Sequence, residues 1–452
     1  MRLALSSLVS LGRKTVTGMI SASGGQFADW SADYRLFLNR RFDAGAMFGV
    51  IRRNVVDRLD ADAPLIVALD DTLLRRSGKK VHGAGWRRDP LGPKFQTNLV
   101  WAQRALQASA AIPCDGFTGE ARMIPVWFGH APTPPKPSRK ADEAQMASYR
   151  LKVKASNMSL RGAEAMRQIK DGLDADGSGR RLWFVTDGGF TNGTVFRNKP
   201  CDATLIGRIR KDAKLYHLPT GLATGRGRKK SYGERAPTPE QLRVDESVAW
   251  KNVTVFAGGE PRQMRVKTIS AVRWRSAGGQ RDLRLVVIAP TGYRLRKGGK
   301  LHYAQPSYLI CDDLEIPVEE LVQAYVWRWG IETNFRDEKQ IIGVGEAHVR
   351  KETSVESLPQ FLVATYAMAQ LAAMKALGDE SCGDSLPLPR WRKDKPGEKQ
   401  TTSGIISRLR VELWGMALGS GKFSGFARDV EARAKWEKFV PDLASSVFYA
   451  MA

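Results

Sequence analysis

Two kinds of hydrophobic pattern alternate along the chain and divide it into helix-forming and strand-forming stretches. Apolar side chains recur every three or four residues in the first 60 positions, which predicts helices. Short, continuously apolar runs follow, and such runs predict buried strands at 64–69, 97–102, 123–128, 181–187 and 203–209. A long helical stretch separates the third and fourth runs, so we expect a parallel strand–helix–strand unit in an α/β fold.

Changes in this pattern predict the organisation of the chain. The expected regions are a helical N-terminal region at 1–60 whose basic residues suit DNA binding, the first part of an α/β core at 61–209, a β-rich basic insertion at 210–301, the second part of the core at 302–379, and a helical C-terminal region at 380–452. The N-terminal region has an equally weighted alternative, a helical packing domain whose basic residues only solubilise it.

Two of the predicted strands lead into acidic residues. Asp70-Asp71 follows the first apolar run, and we predict that the strand ends there; Asp187 follows the fourth run and precedes two glycines. A carboxylate at the end of a buried strand is costly unless it is paired or bound to a cation, so these residues are candidates for a site. Another acidic pair, Asp312-Asp313, more simply ends a strand.

A third acid lies on a predicted helix that starts after Pro317. On a 3.6-residue period its polar residues project as one stripe, beside an apolar stripe formed by Ala324, Trp327, Ile331 and Phe335. The polar stripe consists of Tyr325, Arg328, Glu332 and Lys339. Such a stripe suits a metal-assisted contact with a phosphate chain, although a solvated charged helix face has the same spacing.

Net charge narrows the choice of partner. The 452 residues carry 71 Lys and Arg against 47 Asp and Glu, a formal charge of +24, which points to a polyanion and above all to nucleic acid. Lys79 and Lys80 lie in a glycine-rich basic hairpin that could straddle a DNA backbone. A membrane partner is disfavoured because long apolar runs are missing from the sequence. With no signal-peptide pattern and widely spaced cysteines, we expect a protein of the reducing cytoplasm.

The combined motifs resemble the DDE transposases of bacterial insertion sequences that carry the YREK signature. Tyr325, Arg328, Glu332 and Lys339 match that signature, and Asp70 and Asp187 match the two strand-terminal acids. Arg328-Trp329 followed by Ile331-Glu332 also resembles the hairpin-forming, cut-and-paste members. The segments 13–18 and 29–31 look like the helical N-terminal region of one branch of that group, and the resemblance implies a bacterial protein associated with the nucleoid. The resemblance spans about residues 10 to 350.

This resemblance implies a fold, a site and a reaction. The fold would be an RNase H-like mixed five-stranded sheet flanked by helices. Asp70, Asp187 and Glu332 would hold two Mg²⁺ ions, with Mn²⁺ able to substitute, and Asp71 is the alternative to the first acid. Tyr325, Arg328 and Lys339 would hold the backbone of double-stranded DNA, Trp329 would support a displaced base, and a homodimer would act on the two transposon ends.

Three functions remain open at this stage. The first is a transposase that cuts at terminal inverted repeats and joins 3′ ends to target DNA by two-metal-ion phosphoryl transfer. The second is an RNase H-like nuclease, or a host-adopted descendant, that cuts without integrating. The third is a non-catalytic DNA-binding protein.

Overall fold

The computed structural model describes residues 1–93, 95–220, 230–296, 298–377 and 401–417. Most of the predicted basic loop at 225–230 lies outside these ranges. The predicted C-terminal region at 380–452 is described only over 401–417, where a helix forms as expected.

Strands make up the centre of the molecule. They are β1 Leu65–Arg75, β2 Gly85–Arg88, β3 Leu99–Pro113, β4 Ala121–His130, β5 Leu182–Thr186, β6 Thr204–Arg208, β7 Tyr216–His217, β8 Lys251–Ala257, β9 Glu260–Arg273, β10 Leu283–Ile288, β11 Gly292–Arg294, β12 Leu301–Tyr303 and β13 Ser307–Cys311.

Helices cover the strands and form both ends of the described chain. They are α1 Arg2–Val9, α2 Val16–Ala22, α3 Ser31–Leu38, α4 Ala44–Val56, α5 Glu143–Ala155, α6 Met158–Ala175, α7 Gly193–Asn198, α8 Pro239–Val244, α9 Val318–Trp327, α10 Gly330–Gln340, α11 Glu352–Leu377 and α12 Thr402–Ala417, with a 3₁₀ turn at Gly25–Phe27. Within the described ranges, no helix is long and apolar enough to cross a bilayer.

Five strands form the core that the sequence predicts. In spatial order they are β4, β3, β1, β5 and β6; the first three are antiparallel, and β1, β5 and β6 are parallel. A mixed sheet with an antiparallel meander followed by parallel strands is consistent with an RNase H-like fold. The α/β fold class is therefore confirmed.

The predicted end of the first strand is wrong. Strand β1 runs five residues past Asp70, because the antiparallel ladder with β3 continues as far as the pair Arg75 and Ala102. An ion pair between the Asp71 carboxylate and the Arg104 guanidinium on the neighbouring strand, at 2.6 Å, supports this extension. The acids thus lie within a strand rather than at its last residue.

The predicted β-rich insertion joins the same sheet. Strand β13 pairs with β6, β10 with β13, β9 with β10, and both β7 and β8 pair with β9, so the sheet has 11 strands in the described part of the chain. Asp312, just after β13, accepts a hydrogen bond from Leu205 N and lies 2.9 Å from the buried ammonium of Lys199. This agrees with the expectation that Asp312-Asp313 ends a strand.

The two faces of the sheet bury different sets of helices. Along β1, Val67 and Leu69 face a cluster that includes residues of α4, α6 and α11, whereas Ile66 and Ala68 face a cluster with residues of α9 and α10. Side chains alternate between faces, so Asp70 continues the second set. The first acid of the predicted site, Asp70, therefore lies on the face of the sheet that is covered by α9 and α10.

Candidate active site

Asp70 and Asp187 lie side by side at one edge of the parallel part of the sheet. The register pairs Leu69 of β1 with Thr186 of β5, so the next residue of each strand is the acid. Trp183 and Val185 of β5 face α9 and α10, and alternation places Asp187 on that face as well. Neighbouring strands are about 4.8 Å apart, so the two carboxylates belong to one site.

The choice between the adjacent acids of β1 follows from strand alternation. Asp70 faces α10, while Asp71 projects to the other face and forms two hydrogen bonds with Arg104, at 2.6 and 2.7 Å. That bidentate pair gives Asp71 a structural partner. Asp70 is the acid that shares a face with Asp187, as the sequence analysis chose.

The predicted single helix is two helices joined by a tight turn. α9 ends at Trp327 and α10 begins at Gly330, and the joint is held by three-residue hydrogen bonds such as Ile331 N to Arg328 O at 3.1 Å. Both pieces keep the predicted stripes in register. Ala324, Trp327, Ile331 and Phe335 are all buried against the sheet, which confirms the apolar stripe.

Arg328 links the helix to the strand acids. Its guanidinium lies 3.2 Å from an oxygen of Asp70 and 3.3 Å from an oxygen of Glu332, so only one guanidinium group separates those two carboxylates. The Arg328 side chain is buried and its charged group lies over the Tyr325 ring at 5.6 Å. The structure thus brings together Asp70, Asp187, Glu332 and Arg328.

Burial and crowding of the acids change their ionisation. Burial, followed by the negative charge of Asp187, raises the pKa of Asp70 to about 7, and the Arg328 charge opposes this only in part. Burial also raises the pKa of the Tyr325 phenol, which therefore stays neutral as a hydrogen-bonding group. Closely placed carboxylates of this kind gain from a cation that is shared between them.

Lys339 lies one step further along the same face. Its ammonium donates a hydrogen bond of 2.5 Å to Thr72 Oγ1, two residues after Asp70 on β1. Burial lowers the pKa of Lys339. The lysine is therefore fixed beside the acids but does not pair with any of them in this arrangement.

The remaining predicted DNA contacts are exposed. The Trp329 side chain at the helix joint is 63% exposed, and Lys79 and Lys80 project into solvent from the loop between β1 and β2. These exposed side chains are accessible to a macromolecular partner. Their contact with DNA stays a prediction.

Sequence reasoning missed Glu338. This acid is almost fully buried under the sheet, and burial raises its pKa to about 8. A signal was present, because Glu338 lies seven residues after Ile331 and so falls on the apolar stripe. Its neighbour Asn334 is buried too and donates hydrogen bonds to Ser109 Oγ and Met123 O.

The donor chemistry of the site suits a hard divalent cation. Asp70, Asp187 and Glu332 offer only carboxylate oxygens, the ligands that Mg²⁺ prefers. In the described part of the chain, however, no three Asp, Glu, His or Cys side chains are grouped closely enough to surround one ion. The physical reason at this site is Arg328, whose guanidinium stands between two of the acids.

The fold and the acidic edge of the sheet define the class of protein, an RNase H-like nucleic-acid enzyme. A family model described as DDE superfamily endonuclease matches residues 3–281, more than half of the chain, and the chain belongs to this family. The match contains Asp70 and Asp187 and ends before Glu332. Members generally use divalent metals and act on DNA. No curated protein matches the chain.

Proposed function

We propose that this protein is a transposase of the YREK type. It would cut DNA at the terminal inverted repeats of its own insertion sequence and join the 3′ ends to target DNA. The observation that carries the proposal is the arrangement of Asp70, Asp187, Arg328 and Glu332 at one face of the sheet, in a chain of the DDE superfamily.

Asp70, Asp187 and Glu332 would hold the metal. Two bound Mg²⁺ ions would supply an activated oxygen nucleophile and stabilise the leaving oxygen of the scissile phosphate. Arg328 keeps the acids compatible with each other by neutralising Asp70 and Glu332 together. For the acids to serve as ligands, this guanidinium has to turn from the carboxylates to a DNA phosphate, which offers it the same bidentate contact.

The other residues of the signature would position the DNA. Lys339, fixed by Thr72 beside Asp70, presents a cation to the backbone close to the scissile phosphate. Tyr325 lies under the Arg328 guanidinium and orients it. Trp329, exposed at the helix joint, would stack on a base displaced during cleavage. Lys79 and Lys80 would contact the backbone further away, and a homodimer would hold one end in each subunit.

Cleavage by a Glu332→Gln variant tests the chemistry. A supercoiled plasmid that carries the DNA flanking the gene is incubated with Mg²⁺, and nicked and linear products are measured. The variant should lose cleavage and keep binding, because the amide has nearly the same shape but is a poor metal ligand. Glu320→Gln, the same change on α9, is the matched control. A Glu332→Gln protein that still cleaves would remove this acid from the site.

Salt dependence tests the DNA contacts. Arg328→Gln and Lys339→Gln should each weaken binding and lower the slope of log affinity against log salt by about 0.9, the value for one lost phosphate contact. Lys251→Gln is a control, because this exposed lysine lies on β8 of the insertion and already pairs with Glu319 of α9. An unchanged slope would place the two signature cations away from the DNA.

An endonuclease that cuts without joining is the second candidate, and the family description supports it. The two functions differ in their products. A transposase incubated with precut ends and a target plasmid yields covalent end–target joints, whereas a nuclease yields only cut DNA. Inverted repeats on both sides of the gene would favour the transposase.

A further inference from the structure

The strand next to the candidate active site extends well beyond it. On β3, Gln107 pairs with Asp70 and Trp101 pairs with Trp86 of β2. The six steps along the strand from Gln107 to Trp101 span about 20 Å at about 3.4 Å per residue. Because six is an even number and the ladder has no bulge there, Trp101 and Trp86 project from the same face of the sheet as Asp70.

Trp86 is held in an orientation that leaves its ring accessible. Its side chain is 66% exposed, and it meets the Trp101 ring edge to face at 5.6 Å between centroids. Trp101 is anchored in turn, since its indole N–H donates to Gly78 O at 3.0 Å. An exposed tryptophan supported by a fixed partner forms a rigid stacking surface.

Three cationic residues belong to the segments next to this ring. Arg88 follows two residues later on β2 and therefore lies on the same face, and Lys79 and Lys80 belong to the loop that anchors Trp101. These three side chains are exposed, and none forms an ion pair with another residue that the structure describes. Unneutralised cations beside an aromatic ring match a nucleic-acid strand with unstacked bases.

We propose that Trp86 and Arg88, together with Lys79 and Lys80, bind an unpaired stretch of the DNA strand about six nucleotides from the scissile phosphate. The distance follows from the 20 Å between this surface and Asp70 and from a spacing of about 3.4 Å per nucleotide along one strand of the duplex DNA that would lie between them. The position rests on the proposed function, whereas the preference for unpaired bases rests on the ring and cations alone. This surface is separate from Trp329, which lies on the helix joint beside Glu332.

Binding without metal tests the proposal. In EDTA, the affinity for a blunt 30-base-pair duplex is compared with that for the same duplex bearing a ten-thymine overhang, by fluorescence anisotropy. Wild type should prefer the overhang, and Trp86→Ala should lower overhang affinity by about fivefold or more with little effect on the blunt duplex. Trp86→Phe should retain most of the preference. Tyr303→Ala, which removes an equally exposed ring at the end of β12, is the control.

A second readout locates the contact. With 2-aminopurine placed singly along the overhang, stacking on Trp86 should quench its fluorescence at one or two adjacent positions, and Trp86→Ala should abolish the quenching. The double substitution Lys79→Gln/Lys80→Gln should instead weaken binding to both DNAs and lower the slope of log affinity against log salt concentration.

The possible outcomes test this DNA-binding surface independently of the cleavage reaction. Equal binding of both DNAs by wild type, or an unchanged preference in Trp86→Ala, would overturn the proposal. A change in oligomeric state of Trp86→Ala with unaltered DNA binding would identify a protein interface and overturn it as well. Because no step requires metal, inactivity of the wild-type enzyme in the plasmid assay would refute the proposed function and leave this result intact.

Discussion

Replacing Asp70 with asparagine should stabilise the protein when divalent metal is absent. The side chain is 18% exposed, and burial together with the Asp187 charge raises its pKa from 3.8 to about 7. Between these two values the folded protein binds more protons than the unfolded chain, so the free energy of unfolding falls as pH rises. The ionised carboxylate thus destabilises the fold above pH 7, and its protonated form does not.

The magnitude follows from the same pKa difference. The rise from 3.8 to about 7 corresponds to about 4 kcal/mol at about 1.4 kcal/mol per pH unit. This difference already includes the opposing attraction of Arg328, so we expect a gain of up to about 4 kcal/mol at pH 8 and almost none at pH 4.

Urea denaturation in EDTA, followed by tryptophan fluorescence, measures this difference at both pH values. Asp71→Asn is the control, because it breaks the bidentate pair with Arg104 and should destabilise the protein at pH 8. With saturating Mg²⁺ the wild type should gain stability, about 2.7 kcal/mol at 100 times the dissociation constant, and Asp70→Asn should gain much less. Equal stability of Asp70→Asn and wild type at pH 8 in EDTA would refute the reasoning.

Three further substitutions test the fold around the site. Glu338→Gln should change the thermal midpoint little at pH 7, since burial raises the pKa of Glu338 to about 8 and the carboxyl is already neutral; a large loss would mean that it is ionised. Lys199→Met should cost about 3–5 kcal/mol in urea denaturation, because it leaves the Asp312 charge buried without its partner, and Lys199→Met/Asp312→Asn should recover part of that loss. Gly207→Ala should lower the unfolding free energy in the same assay, because its methyl group would collide with the Thr191 side chain, which lies in the segment after β5. Stability equal to that of the wild type would show that Thr191 can move away.

Much of the candidate site could be predicted because its signals are local. Apolar strand runs place Asp70 and Asp187, and a 3.6-residue period places Arg328 and Glu332 on one stripe. The parallel pairing of β1 with β5 then brings the two strands together, as the strand–helix–strand pattern implies.

The rest depends on contacts between distant residues. The continuation of β1 to Arg75 depends on pairing with β3 and on the ion pair between Asp71 and Arg104, which lie 33 residues apart. The contact between Lys339 and Thr72 joins residues separated by 267 positions. A spacing rule within one segment contains no information on such partners, so the sequence could name these residues without assigning them to each other.

Arg328 explains how three acids can share one face before any cation binds. The guanidinium neutralises Asp70 and Glu332 at 3.2 and 3.3 Å, while the raised pKa of Asp70 allows a proton to reduce the charge beside Asp187. On binding, a metal ion would take the place of the arginine and the proton at the acids. A DNA phosphate would take the place of the acids at Arg328. Metal binding and DNA binding should therefore be coupled, because each releases a group that the other needs.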